Sequence, residues 1–158
     1  MTRRILAIDF GVRRCGLAIS DALGATAQGL GTLERTRIAD DFAHIGKLVD
    51  QYAPRLVLIG NPISNSGGET AMSRRVAEFA AKLRSRLGCR VELWDERGTS
   101  VEANRVLRES GIGIGKRRQA ADRVAAVLLL QSYLDYDANE RARNQATEAE
   151  SADSGAAE

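Results

Sequence analysis

Apolar and polar positions alternate along this chain in two rhythms, one of strands and one of helices. Residues 4–9 (Arg-Ile-Leu-Ala-Ile-Asp) predict a buried strand that ends in a carboxylate, and residues 15–20 (Cys-Gly-Leu-Ala-Ile-Ser) predict a second. Five residues, Phe10 to Arg14, separate them, with Gly11 early in the turn, so the two form a hairpin. Residues 26–34 are Gly-rich and predict a third, weaker strand. From residue 38 to 53 the spacing of Phe42, Ile45, Leu48, Val49 and Tyr52 is helical, and Pro54 closes the helix. Arg55 to Ile59 is a short apolar strand ending at Gly60. Over 70–87, Val76, Phe79, Ala80, Leu83 and Leu87 share one helical face, and Gly88 stops it. Residues 90–95 (Arg-Val-Glu-Leu-Trp-Asp) predict a fifth strand ending at the acidic pair Asp95 and Glu96. Thr99 and Glu102 make a capping box that opens a short helix to Gly111. A Gly/Lys/Arg loop over 111–118 then leads to a last helix from about Ala120 to Tyr136.

The order is a leading antiparallel hairpin or meander, then strand–helix units that call for parallel pairing. That predicts an α/β fold with a mixed five-stranded sheet flanked by helices. Function in such sheets gathers at the carboxyl ends of strands. From Asp137 onward there is no Val, Ile, Leu, Met, Phe, Trp or Tyr. With no apolar area to offset ordering entropy, residues 138–158 are expected to be a disordered, acidic Ala/Glu-rich tail, and residues 1–137 the folded domain.

Composition narrows the classes. A length of 158 residues, 44% apolar and 28% charged, suits one soluble domain. No apolar run approaches the ~20 residues of a membrane span, and no secretory signal is expected at Arg3-Arg4. Two cysteines, Cys15 and Cys89, make neither a disulfide framework nor a zinc site, and the lone His44 argues against His-centred chemistry. A reduced, cytoplasmic setting is expected. The net charge of +2 hides an asymmetry: residues 137–158 carry six acidic and two basic side chains, which leaves the body at +6. A basic body suits a polyanionic partner.

Three acidic positions stand out. Asp9 ends an otherwise apolar strand. Asp95 and Glu96 end another, and strict alternation would turn only one of the pair toward Asp9. Asp122 shares a helical face with Ala125, Ala126 and Leu129, and the small alanines let the helix approach the sheet. In the first turn of a helix it would also gain from the helix dipole. Convergent carboxylates are hard donors suited to Mg²⁺ or Mn²⁺, and a pair of such ions can clamp both oxygens of a phosphodiester in hydrolysis. Arg13, Arg14, Arg97, Lys116, Arg117 and Arg118 lie beside these positions and can hold nucleic-acid phosphates. Aromatic residues, at 4%, are too few for base stacking to be the main binding mode.

The run Asp9-Phe10-Gly11-Val12-Arg13-Arg14-Cys15-Gly16-Leu17-Ala18-Ile19-Ser20-Asp21 resembles the opening motif of the YqgF or RuvX family, also described as Holliday-junction-resolvase-like. Asp95-Glu96-Arg97 with Val101-Glu102-Ala103 resembles its second motif. Lys116 and Asp122, with Ala125-Ala126-Val127 and Gln131-Ser132-Tyr133-Leu134, resemble its third. The resemblance spans residue 4 to about 137 and implies a ribonuclease H-like fold. It also implies a metal-dependent nuclease that matures the 5′ end of precursor 16S ribosomal RNA, or, in some members, cuts Holliday junctions. The family's acidic residues fall on Asp9, on Asp95-Glu96 and on Asp122. Asn61, Ser66, Gly98 and Cys15 depart from the usual residues of the family.

The site expected on these grounds has Asp9, Glu96 and Asp122 as metal ligands, with Asp95 as the alternative second ligand. Arg14, Arg97, Lys116, Arg117 and Arg118 would hold the backbone of precursor ribosomal RNA or branched DNA. A second copy of the chain would be called for if both strands of a junction are cut. A non-catalytic RNA-binding assembly factor is the competing expectation. An actin-like nucleotide-binding domain also opens with Asp-x-Gly, but the chain has no room for its second lobe.

Overall fold

The computed structural model describes residues 3–61, 70–95 and 114–155, with side chains from 121 onward in the last segment. The helix expected over Thr99–Gly111, and Glu96 and Arg97, lie outside the described residues.

Three strands open the chain: β1 (Ile5–Asp9), β2 (Arg14–Ser20) and β3 (Ala27–Glu34). They form an antiparallel meander. Helix α1 (Ile38–Tyr52) leads to β4 (Leu56–Asn61), α2 (Ala71–Leu87) to β5 (Val91–Asp95), and α3 (Ile114–Gly155) ends the described chain. The sheet order is β3-β2-β1-β4-β5, with β1–β4 and β4–β5 parallel. This mixed five-stranded sheet is the one the hydrophobic pattern predicts.

The pleat sorts side chains onto two faces. Leu6, Ile8, Cys15, Leu17, Val57 and Ile59 pack under α1 and α2 with Phe42, Ile45, Phe79 and Leu83. Ile5, Ala7, Ala18, Leu56 and Leu58 pack under α3 with Ala126, Leu129, Leu130 and Leu134. The central strand β1 is covered on both sides, which is why its pattern reads as a continuous apolar run rather than an alternation. Burial pushes the Cys15 thiol up to about 11 from its ordinary 9.0.

Helix ends follow sequence chemistry in α2. Thr70 caps its N-terminus by accepting from Ser73 N at 3.0 Å, while Ser73 Oγ accepts from Thr70 N, and Gly88 turns the chain out at φ 63°. In α1 the turn-out residue is Ala53, left-handed at φ 44°, ahead of Pro54.

Helix α3 departs from expectation at both ends. It begins at Ile114, so the backbone of Lys116, Arg117 and Arg118 lies in its first turns instead of in a preceding loop. It also continues through Gly155, where a disordered tail was expected. Past Tyr136 the helix leaves the sheet, and residues 142–155 are exposed throughout. Their order needs no core. An established helix adds a hydrogen bond per residue without a new nucleus, and this Ala- and Glu-containing stretch has no Gly or Pro before Gly155. Local pairs assist, such as Arg143 Nη1 with Glu140 Oε1 at 3.2 Å. Among the described residues, no helix is long and apolar enough to cross a membrane.

Two outcomes follow from this packing. Truncation after Arg143 is expected to lower helical ellipticity at 222 nm while changing the unfolding free energy by less than about 0.5 kcal/mol in urea titrations. The Cys15 thiol holds its proton in the native state through the range where the unfolded thiol loses it. Its contribution is therefore full below pH 9 and is lost as pH rises toward 11. Urea midpoints should fall across that window, and less so in Cys15→Ala.

Candidate functional site

One edge of the sheet collects the chemistry. Strands β1, β3, β4 and β5 all end there, at Asp9, Glu34, Asn61 and Asp95, and β2 begins there at Arg14. Asp9 continues the row of Ile5 and Ala7 and so lies on the α3 face of the central strand. Its ladder partner is Gly16 of β2.

Gly16 is the floor of the site. A Cβ built there would sit 1.9 Å from the main-chain oxygen of Asp122 and 2.6 Å from its carbonyl carbon. Only glycine lets α3 come this close. The small residues Ala7, Ala18, Ala125 and Ala126, all buried, continue the same seam. The contact sets the backbone of Asp122 over the residue opposite Asp9, so two acidic residues 113 positions apart in the chain lie on one face of the sheet.

Asp122 is held there by Arg14, whose Nε donates to Asp122 Oδ2 at 2.8 Å. Both side chains keep a little over a quarter of their surface exposed, at 29% and 27%. Since α3 begins at Ile114, Asp122 lies in its third turn, and the helix-dipole stabilisation expected of a first-turn carboxylate does not apply. Its partner is the arginine that the sequence assigned to phosphate.

The remaining expected residues divide. In β5, Val91 packs with the α1/α2 core while Trp94 packs against the α3 core, edge-on to Tyr133 at 5.1 Å. Alternation from Trp94 places Asp95 on the face away from Asp9. Glu96 and Arg97, and the side chains of Lys116, Arg117 and Arg118, lie outside the described residues. Among the described residues, no three His, Cys, Asp or Glu side chains form a group able to hold a metal ion. Asp9 and Asp122, which share the α3 face of the sheet, are carboxylates of the kind Mg²⁺ or Mn²⁺ prefers. They fit a divalent cation that takes its third donor from elsewhere.

A clamp behind the site escaped the sequence reading. Arg35 donates from Nη1 to Gly11 O at 3.2 Å and to Val12 O at 3.4 Å, and its own N–H donates to Arg13 O at 2.9 Å. Its guanidinium lies 4.6 Å over the Phe10 ring and pairs with the buried Asp41 at 3.4 Å. Asp41 also accepts from Thr36 N at 3.1 Å. These bonds fix the turn that follows Asp9. One signal was available: Asp41 falls on the apolar face of α1, four residues before Ile45 and seven before Leu48. A carboxylate there needs a buried partner.

A family model described as "RuvX: Holliday junction resolvase" matches residues 3–136. The chain belongs to the RuvX family. A Koribacter versatilis relative, named "Putative pre-16S rRNA nuclease", is 50% identical over 132 residues, which is 84% of this chain and 86% of that protein. Relatives of the same name from Syntrophus aciditrophicus and Clostridium novyi are 41% and 38% identical, covering 92% and 84% of this chain and 97% and 98% of their own lengths. Among solved structures, Thermus thermophilus RuvC in complex with Holliday junction substrate aligns with a TM-score of 0.51 at 13% identity, over 83% of this chain and 93% of that one. The fowlpox virus resolvase in complex with Holliday junction DNA aligns at 0.52 and 13%, over 84% and 97%. The fold of this RuvX member is thus the ribonuclease H-like fold of those resolvases.

Gly16→Ala tests the geometry. Forcing α3 off the sheet is expected to cost at least about 1–3 kcal/mol in chemical denaturation. Gly46→Ala, whose Cβ meets only the end of the Leu87 side chain at 3.4 Å, is the control.

Proposed function

We propose that this chain is a metal-dependent endonuclease that matures the 5′ end of precursor 16S ribosomal RNA in the cytoplasm. The observation that carries the reading is the placing of Asp9 beside Gly16 and of the Asp122 backbone over it, at the sheet edge where the strands end. The names of relatives at up to 50% identity support the substrate. The basic body, at +6 without the terminal segment, supports a polyanion of either kind.

In this reading Asp9, Asp122 and Glu96 hold Mg²⁺ or Mn²⁺, as a single ion or as a pair. Glu96 is preferred to Asp95, which strand alternation turns away from Asp9. When bound, the ion supplies Lewis-acid stabilisation of the phosphoryl oxygens and a more acidic water. The protein's own contribution is positioning. Asp9 sits on the most enclosed strand of the sheet, and Asp122 on a helix seated directly on its neighbour, so neither carboxylate has to be ordered during the reaction. Arg97, Lys116, Arg117 and Arg118 hold backbone phosphates, which carry no sequence information but fix register. The domain extends to about residue 137, with the remaining helix an appendage.

The family description favours a second reading, cleavage of branched DNA. A four-way junction has two strands to cut, so that activity also calls for a second copy of the chain. One assay separates the readings. Wild type, Asp9→Asn and Asp122→Asn are incubated with end-labelled 16S precursor RNA or with a four-way DNA junction, in Mn²⁺ or in EDTA. Expected is Mn²⁺-dependent cutting of the RNA, reduced at least about a hundredfold in both variants and absent in EDTA. Cutting of the junction alone would select the second reading. Binding of RNA without cutting in every lane would instead identify an assembly factor.

A further inference from the structure

Arg14 is spent on Asp122 in this structure, and that bond has a consequence for any cation the site takes. The contact is single-pronged, Nε to Oδ2 at 2.8 Å, among the described residues. It is not the two-pronged fork that arginine frequently makes with a carboxylate. Both groups are partly solvated, so the pair is worth little on its own.

A second resting place lies within reach. Arg14 stands directly opposite Glu34 in the β2–β3 ladder. Directly opposed residues bring their side chains together on one face. Glu34, with Gly31, Thr32 and Arg123, lines a groove of about 360 Å³. Three of these residues belong to β3, where Gly31 takes φ 104° as the register shifts past Leu17. A guanidinium released from Asp122 would meet either the Glu34 carboxylate or a phosphate lodged beside Arg123.

We infer that Arg14 is a resident counter-ion of Asp122 that a divalent cation must displace before it can take that carboxylate. This rests on Asp122 being a metal ligand, as proposed above. Arg14 is then a positioning residue in two states. Without the cation it neutralises and orients Asp122. With the cation it is free for substrate phosphate at the mouth of the β3 groove. By linkage, a phosphate that captures Arg14 strengthens cation binding, and the cation strengthens phosphate binding.

The test is Mn²⁺ binding by calorimetry, without nucleic acid, in wild type, Arg14→Gln, Asp122→Asn and the double variant. Expected is binding roughly threefold to tenfold tighter in Arg14→Gln than in wild type, with no such gain when Asp122→Asn is also present. Equal or weaker binding in Arg14→Gln overturns the inference and makes Arg14 a fixed support of a ligand, while the metal-site reading stands. Absence of Mn²⁺ binding in all four proteins overturns the metal-site reading and the inference with it. A second readout needs no variant. On titrating wild type with Mg²⁺, the Arg14 Nε–H signal in nitrogen-resolved NMR is expected to move to the position and solvent exchange of a free guanidinium. An Arg14 signal still hydrogen-bonded at Mg²⁺ saturation refutes the displacement.

Discussion

The close seating of α3 on β2 is the constraint on which the site depends. A helix carbonyl lies where any side chain at position 16 would have to be, and alanines on both surfaces extend that approach along the seam. Helices on sheets usually stand off by the thickness of larger side chains. Here the spacer is removed, and what is gained is proximity of Asp122 to the strand that carries Asp9. The apolar remainder of α3, from Ala125 to Leu134, supplies the burial that keeps this approach in place.

Further along, α3 is tied to both sides of the sheet. Gln131 accepts from Ala27 N at 3.1 Å and donates to Ala25 O at 3.2 Å, at the start of β3. Tyr133 meets Trp94 of β5 edge-on, and Arg55 pairs with Asp137 at 3.2 Å. The helix therefore has little freedom to pivot about Gly16. On the opposite face, Arg35 and Asp41 do the corresponding task for the turn after Asp9, and a partner lost from such a buried pair costs about 3–5 kcal/mol. The two carboxylates are thus fixed by independent devices, one steric and one electrostatic.

Much of this was legible in the residues. Each strand of the sheet and the first two helices fall within a residue or two of the expected bounds, because their apolar spacing, Pro54 and Gly88 act locally. Asp9 was legible because a carboxylate ending an apolar strand is costly without a role, and Asp122 because it shares a face with small apolar residues. The course of α3 was not legible. Residues 137–155 have nothing to bury, and that argument overlooks a helix already nucleated against the sheet, which extends on backbone bonds and propensity alone. The same oversight put Asp122 in a first turn.

By itself the sequence determined the mixed sheet with its antiparallel opening, the helices between its later strands and the carboxylates at the strand ends. These depend on period, turn chemistry and the cost of burying charge, all of which act within a few residues. Only the tertiary structure decided which groups meet: that Arg14 turns to Asp122, and that Arg35 reaches back to the turn at Gly11. Ion pairs between residues 108 positions apart depend on the angle and height at which a helix lands on a sheet. That landing is settled by packing across the whole face, and no local pattern in the chain encodes it.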